Sequence, residues 1–415
     1  MNAPPRTLRR LIALVAVAAV LSSCSSDSDP ASAPSSTTRP SSPRSSTTTS
    51  APATAPADVV PGATWTVADP EDHGMDGATL AKAKDYAFAE GKNTQGVVVV
   101  RGGEIVAEWY APGEDEESWA ASWSIAKSVV SALVGIAIEE GDIPSIDEPM
   151  TTYYPEWKAD DRSKITLRDV LEMSTGQKWN EDYAPDDLDA SDVVRMVLKE
   201  RDQLAYAASR PVESAPGTVF NYSSGTSMLL SGVLEQATGM SPEDYAKEKL
   251  WDPLQVSKVD LWSDAEGHTL TYCCLDTTSR DFARFGLLYL HGGRWGAKQV
   301  VPASWVADSV KGSRAAADTY GLQWWLEHVD GVPDDLFQAE GHDDQYIYVV
   351  PSLDLVVVRN GSYTKYDGPS VADPNLFSRY PSGDIVPGQG TAPPVDGWDS
   401  AAFLAPIIDS IEKGA

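Results

Sequence analysis

Cysteine, histidine and basic side chains are all scarce in this chain of 415 residues: three Cys, five His, and 32 Lys and Arg against 61 Asp and Glu. The cysteines are Cys24, Cys273 and Cys274, too few for a disulfide framework. Neighbours in sequence bridge only with strain, so Cys273 and Cys274 are read as two buried thiols. The histidines (His73, His268, His291, His328, His342) are scattered, with no H-E-x-x-H pair to hold a catalytic zinc. Asp334-Asp335 and Asp343-Asp344 read as solvated loop acids, and neither a metal nor a cofactor is expected. A net charge of −29 argues against nucleic acid as partner, because phosphate binding needs clustered Lys and Arg. There is no G-x-S-x-G elbow of the kind that presents a serine in α/β-hydrolases.

The longest apolar run near the start, Leu11 to Leu21, falls well short of the roughly 20 residues a spanning helix needs. Arg6, Arg9 and Arg10 precede it, so residues 1–23 read as an export signal. The run ends in Leu21-Ser22-Ser23-Cys24, which resembles a bacterial lipobox and marks Cys24 as a lipidation site. Removing the signal leaves 29 basic against 61 acidic residues, a balance of −32. That surface repels anionic lipid, so any membrane contact is expected through the lipidated N-terminus alone. Residues 24–58 are almost entirely Ser, Thr, Pro, Ala and Asp and read as a disordered tether. The expectation is an exported domain over residues 59–415, anchored to the outer face of a bacterial cell membrane or secreted. The sequence leaves its oligomeric state open.

Within that domain, Ala78 to Glu90 reads as a helix and Gly96 to Tyr110 as a hairpin turned at Gly102-Gly103. Tyr346 to Val350 and Leu353 to Val358 form a second hairpin, and Ala401 to Glu412 a closing helix. Hairpins near both ends imply one antiparallel sheet that joins the termini. Between them lie helices at Ser124–Glu139, Thr166–Met173, Ser224–Thr238, Pro242–Trp251 and Ser279–Leu290. The pattern predicts an α/β (α+β) domain, an antiparallel sheet flanked by helices, with an inserted helical lobe over about residues 142–272. Residues 360–399 are rich in Gly and Pro with little periodicity and read as a candidate cleft wall.

The chemistry centres on Ser124-Ile125-Ala126-Lys127. Residues three apart share a helix face, so Lys127 can reach Ser124 and help remove its proton. The helix is apolar around most of its circumference, and a lysine on a buried helix needs a partner or a function. Tyr222 stands where an extended stretch meets the start of a helix. A tyrosine there can project its hydroxyl into a cleft as a proton shuttle, its acidity increased by a nearby lysine. Downstream, Gly341-His342-Asp343-Asp344-Gln345 precedes a strand whose edge N–H groups could form an oxyanion hole with that of Ser124. Trp324-Trp325 is read as core or as the lining of an apolar pocket.

Taken together these segments resemble the serine β-lactamase and penicillin-binding-protein fold, closest to class C-like esterases and the 6-aminohexanoate-dimer hydrolase group. The resemblance runs from about Asp69 to the C-terminus. It rests on the order and separation of Trp123–Ser128, Thr166–Gly176, Phe220–Ser224, Asp281–Gly286 and Gly341–Gln345. It implies a beta-lactamase-like fold, Ser124 as the acylated nucleophile, and Lys127 and Tyr222 sharing the proton transfer. Tyr183 matches a cleft tyrosine of the dimer hydrolases, and His342 and Gln345 fall at substrate or oxyanion positions. The third motif departs from β-lactamases and D,D-peptidases: His342-Asp343-Asp344 stands where they have Lys-Thr-Gly, whose lysine helps hold a substrate carboxylate. The implied substrate is a small ester or amide, with poor β-lactam turnover. The alternatives are a D,D-carboxypeptidase or weak β-lactamase, and a lipoprotein that keeps the fold but not turnover.

Overall fold

Val97-Val98-Val99-Val100 is apolar at four successive positions, so a strand built from it must be covered on both faces. The computed structural model, which describes residues 59–183, 188–377 and 393–411, meets that demand. Strands β1 (Thr94–Arg101) and β2 (Glu104–Tyr110) form the first hairpin. Strands β3 (Phe337–Gly341), β4 (Gln345–Val350) and β5 (Leu355–Gly361) come from the far end of the chain. The five make one antiparallel sheet in the order β2-β1-β5-β4-β3, with Val98 paired to Val358 across its centre. Side chains alternate across a strand. Val97 and Val99 therefore enter a core shared with α1 (Gly77–Ala87) and the C-terminal helix Ser400–Ser410 through Leu80, Phe403 and Leu404. Val98 and Val100 face the larger core on the opposite side.

That larger core contains α2 (Ile125–Glu140), α3 (Ser224–Thr238) and α4 (Ser279–Leu290). Every residue of α2 from Ile125 to Ala137 is buried. Ser124 stands just outside this helix, at its N-cap, rather than inside it. In the lobe between residues 142 and 272, the helix Ser224–Thr238 has the bounds read from the sequence, whereas the helices near Thr166 and Pro242 are shorter than expected. A capping box between Thr166 and Asp169 starts the helix Leu167–Leu171, and Met173, at φ +54°, ends the segment. Pro242–Ala246 is followed by a wider π-turn over Lys247–Trp251. Edge strand β3 is an element that the sequence reading did not supply.

Cys273 and Cys274 are buried as expected, but they are not free thiols. Their sulfurs are joined, across a Cα–Cα distance of 3.7 Å, with Cys274 in the left-handed region at φ +73°. That local turn brings the neighbouring side chains together, and composition gives no sign of it. Cys24, the expected lipidation site, lies outside the described residues, as do Glu412 and the part of the irregular segment from 378 to 392.

One glycine shows how tightly α2 is held. A Cβ at Gly135 would lie 2.3 to 2.5 Å from three atoms of the Trp305 indole ring. The ring is itself buried and stiff, so Gly135→Ala is expected to cost about 1–3 kcal/mol. Urea unfolding would measure this loss, and a variant as stable as the parent would show that Trp305 can move aside.

Candidate active site

The turn that presents Ser124 is built by its neighbours. Ser122 is tied to the short strand Leu275–Thr278: its N–H donates to Leu275 O at 2.8 Å, and its Oγ accepts from Leu275 N–H at 2.9 Å. Trp123 then takes φ +45°, a left-handed conformation that turns the chain sharply into α2. From the other side Gly341, at the end of β3, presses on this turn. A Cβ there would sit 2.3 Å from Ser122 O, so only glycine lets the sheet edge close on the Ser124 turn. Ser124 makes no capping bond with its own helix, which leaves its hydroxyl for Lys127.

Lys127 is 1 % exposed, and its Nζ lies 2.8 Å from Ser124 Oγ, 2.8 Å from the Tyr272 carbonyl and 3.3 Å from Ser224 Oγ. Burial disfavours the ammonium and lowers its pKa from 10.5 to about 8, with Glu181 pulling weakly the other way. A cation in the first turn of a helix is disfavoured in the same direction. The neutral amine has two N–H donors and one lone pair. With the donors on Tyr272 O and Ser224 Oγ, the lone pair is left for the Ser124 hydroxyl proton.

Tyr222 hydrogen-bonds Ser124 and stacks on Trp325, with ring centroids 5.3 Å apart. The acidity expected of it is reversed. Desolvation pushes the Tyr222 hydroxyl well above the usual phenol range, and the charges of Glu181 and Glu340 add to the effect. Lys127 Nζ does lie 4.9 Å from the Tyr222 ring centroid, yet burial outweighs the help that a cation would give.

Glu181 is a candidate site residue that sequence reasoning missed. It accepts the Ser224 N–H at 2.9 Å, the Ser224 hydroxyl at 2.5 Å and the Tyr183 hydroxyl at 2.6 Å, and also takes the Trp179 indole N–H. It thus orients Ser224, which in turn accepts from Lys127. The only available hint was an acid two residues from a cleft tyrosine, which is too common a pattern to single out.

A cavity of about 320 Å³ opens over Ser124. Tyr183, Tyr222, Trp325, Glu340 and the turn from Gly341 to Asp344 line it, together with Pro393 from the irregular segment. His342 borders it, with Nε2 3.3 Å from Asp343 Oδ1 and its ring packed on Tyr183 at 4.7 Å between centroids. Of the tryptophan pair, Trp325 lines the cavity and Trp324 is fully buried in the core. Gln345 is not at the cavity. It is completely buried, and its amide oxygen accepts from Gly361 N–H at 2.9 Å while its Nε2 donates to Asp343 O at 3.3 Å. Its place in the motif is real, but its work is to brace the turn from behind.

The family model described as Beta-lactamase matches residues 85–373. The chain belongs to the beta-lactamase family. The mixed fold, a five-stranded antiparallel sheet with helices, agrees with this assignment. Relatives include a 6-aminohexanoate-dimer hydrolase from Paenarthrobacter ureafaciens, 26% identical over 299 residues, which covers 66% of this chain and 74% of the relative. Among solved structures, a Bacillus anthracis protein provisionally named a 6-aminohexanoate-dimer hydrolase superposes with a TM-score of 0.60 at 23% identity, covering 74% of this chain and 83% of that one. EstCE1, described as a hydrolase with promiscuous acyltransferase activity, also gives 0.60, at 13% identity and over 81% and 98% of the two chains.

Proposed function

We propose that this beta-lactamase-family hydrolase cleaves an ester or amide bond through an acyl-Ser124 intermediate, with Lys127 as general base. The observation that carries the reading is the buried Lys127 amine 2.8 Å from Ser124 Oγ, its pKa lowered to about 8. Near neutral pH a useful fraction of this amine is uncharged, which suits a base working close to ambient pH. The raised pKa of Tyr222 suits a proton donor and not a base.

In the proposed sequence the Ser124 proton moves to Lys127 Nζ while Oγ forms a bond to the substrate carbonyl carbon. The carbonyl oxygen takes up the negative charge. Among the described residues, neither the Ser124 N–H nor the His342 N–H is taken by an acceptor, and both are assigned to that oxygen. As the intermediate collapses, the bond to the leaving atom breaks. Tyr222 hands that atom a proton, which is replaced from the Lys127 ammonium. Water then repeats the steps on the acyl-serine and releases the acid.

The 6-aminohexanoate-dimer hydrolase relative supports an amide or ester substrate. The His342-Asp343-Asp344 turn supplies no lysine for a β-lactam carboxylate, which favours esters and linear amides over antibiotics. Labelling with a fluorophosphonate probe tests the proposal. The wild type is expected to label and to hydrolyse short-chain p-nitrophenyl esters, and Ser124→Ala to do neither. An unlabelled wild type with no turnover would favour a binding protein, and nitrocefin hydrolysis faster than ester hydrolysis would favour a β-lactamase.

A further inference from the structure

The two joined cysteines stand between the bonds that hold the base and those that hold the nucleophile turn. Upstream, the Tyr272 carbonyl accepts from Lys127 Nζ at 2.8 Å. Tyr272 and Thr271 are fixed to the helical lobe. The Tyr272 hydroxyl donates to Gln203 Oε1 at 2.7 Å, and the Thr271 hydroxyl to Ser227 O at 2.8 Å. Downstream, Leu275 carries both bonds to Ser122, two residues before Ser124. In sequence, only Cys273 and Cys274 separate these two anchorages. Their own backbone bonds are few. Among the described residues Cys273 makes none, and the Cys274 carbonyl accepts one, from Trp262 N–H at 3.0 Å. Cys274 also holds φ +73°, a conformation that a residue with a Cβ rarely keeps unaided. What remains to hold it is the covalent link between the two buried sulfurs.

We propose that the Cys273–Cys274 disulfide is a positioning element of the active site, which aims the Tyr272 carbonyl at Lys127 from the strand that holds the nucleophile turn. The proposal rests on the hydrolase reading above and adds two residues that touch neither substrate nor Ser124. With one N–H donated to Tyr272 O, the neutral amine turns its lone pair to the Ser124 hydroxyl. A carbonyl free to swing away releases that donor, and the amine then presents an N–H to Ser124 as readily as its lone pair. Small losses of aim of this kind are costly in rate. The carbonyl also accepts more strongly from an ammonium than from an amine, so its departure disfavours the protonated form of Lys127.

Two double variants separate this role from bulk stability. Cys273→Ala/Cys274→Ala removes the link and leaves a Cβ at φ +73°, so it should be both less stable and slower. Cys273→Ala/Cys274→Gly removes the link but also the strain, because glycine adopts positive φ freely. It should unfold at higher urea than the first variant yet recover no turnover, since glycine permits the turn without holding it. Its kcat/KM on a p-nitrophenyl ester, counted per fluorophosphonate-labelled site, is expected to be about ten- to hundredfold below wild type. The midpoint of its rise with pH should fall below the wild-type value of about 8. Glu181, Tyr222 and Tyr272, the titratable groups around the amine, are the same in all three proteins. A loss of stability alone would leave both figures unchanged per labelled site. Wild-type kcat/KM in Cys273→Ala/Cys274→Gly, or a midpoint at or above that of the wild type, would overturn the proposal.

Should the wild type neither label with fluorophosphonate nor turn over any ester, the hydrolase reading fails by itself. The titration of Lys127 then decides the role of the disulfide, followed by the NMR signal of its ε-carbon and assigned through Lys127→Met. A lower midpoint in Cys273→Ala/Cys274→Gly supports the proposal, and an equal or higher one overturns it.

Discussion

Replacing Lys127 with methionine is expected to lower kcat/KM on an ester by about 10³-fold or more while making the folded protein more stable at neutral pH. The loss follows from removing the base that takes the Ser124 proton. The gain follows from linkage. The amine has a pKa of 10.5 in the unfolded chain and about 8 when folded. Below pH 8 both states are protonated and the folded protein carries the full cost of a buried ammonium. Between pH 8 and 10.5 only the unfolded chain holds the proton, so wild-type stability rises with pH. Above that window both states are neutral and the cost is gone. The span corresponds to about 3 kcal/mol. Methionine leaves the Tyr272 carbonyl without its donor, which returns about 1–3 kcal/mol of the gain. The stability difference between variant and wild type should therefore shift against the variant by about 2–3 kcal/mol from pH 7 to pH 10. Denaturant unfolding at the two pH values measures it, and a constant difference would mean that Lys127 is not buried as an amine with a lowered pKa. In the wild type, kcat/KM should climb through about pH 8 as the amine deprotonates.

The second large effect separates two roles for Tyr222. If its hydroxyl delivers a proton to the leaving atom, Tyr222→Phe should reduce hydrolysis of an anilide by about 10²- to 10⁴-fold. A p-nitrophenyl ester, whose phenolate leaves without protonation, should lose about tenfold or less. Were Tyr222 the base that activates Ser124, both substrates would suffer alike, because acylation begins with the same proton transfer. Parallel kcat/KM measurements on the two substrates decide the matter. The raised pKa of the buried hydroxyl favours the unequal outcome.

Much of this site could be read from the chain because its central pair is local. Ser124 and Lys127 meet through helix geometry alone, and an apolar run around them announces burial. Tyr222 is announced by its place at the start of a helix. The residues that escaped attention come together only in three dimensions. Glu181 reaches Ser224 across 43 positions of sequence. Glu340 reaches the cavity because β3 forms the edge of the sheet, and that strand, Phe337-Gln338-Ala339-Glu340-Gly341, alternates over only five residues with a single large apolar side chain, too little to reveal itself. Gln345 was placed by motif on the wrong side of its turn, since nothing in a five-residue match says which side chain faces the cleft. The pKa of Tyr222 failed for a related reason: the neighbouring lysine could be inferred from sequence, but the depth of burial that outweighs it could not.

The seat of Gly341 against Ser122 and Trp123 has a consequence for timing. A growing chain presents Ser124 and Lys127 early, yet the cavity wall formed by Glu340 and the His342 turn arrives only with β3, and β3 is held through β4 and β5 to β1. A nascent chain, or a fragment cut before Phe337, has Ser124 and Lys127 without Glu340 or the His342 turn. The cavity over Ser124 is thus complete only when the last strands close the sheet.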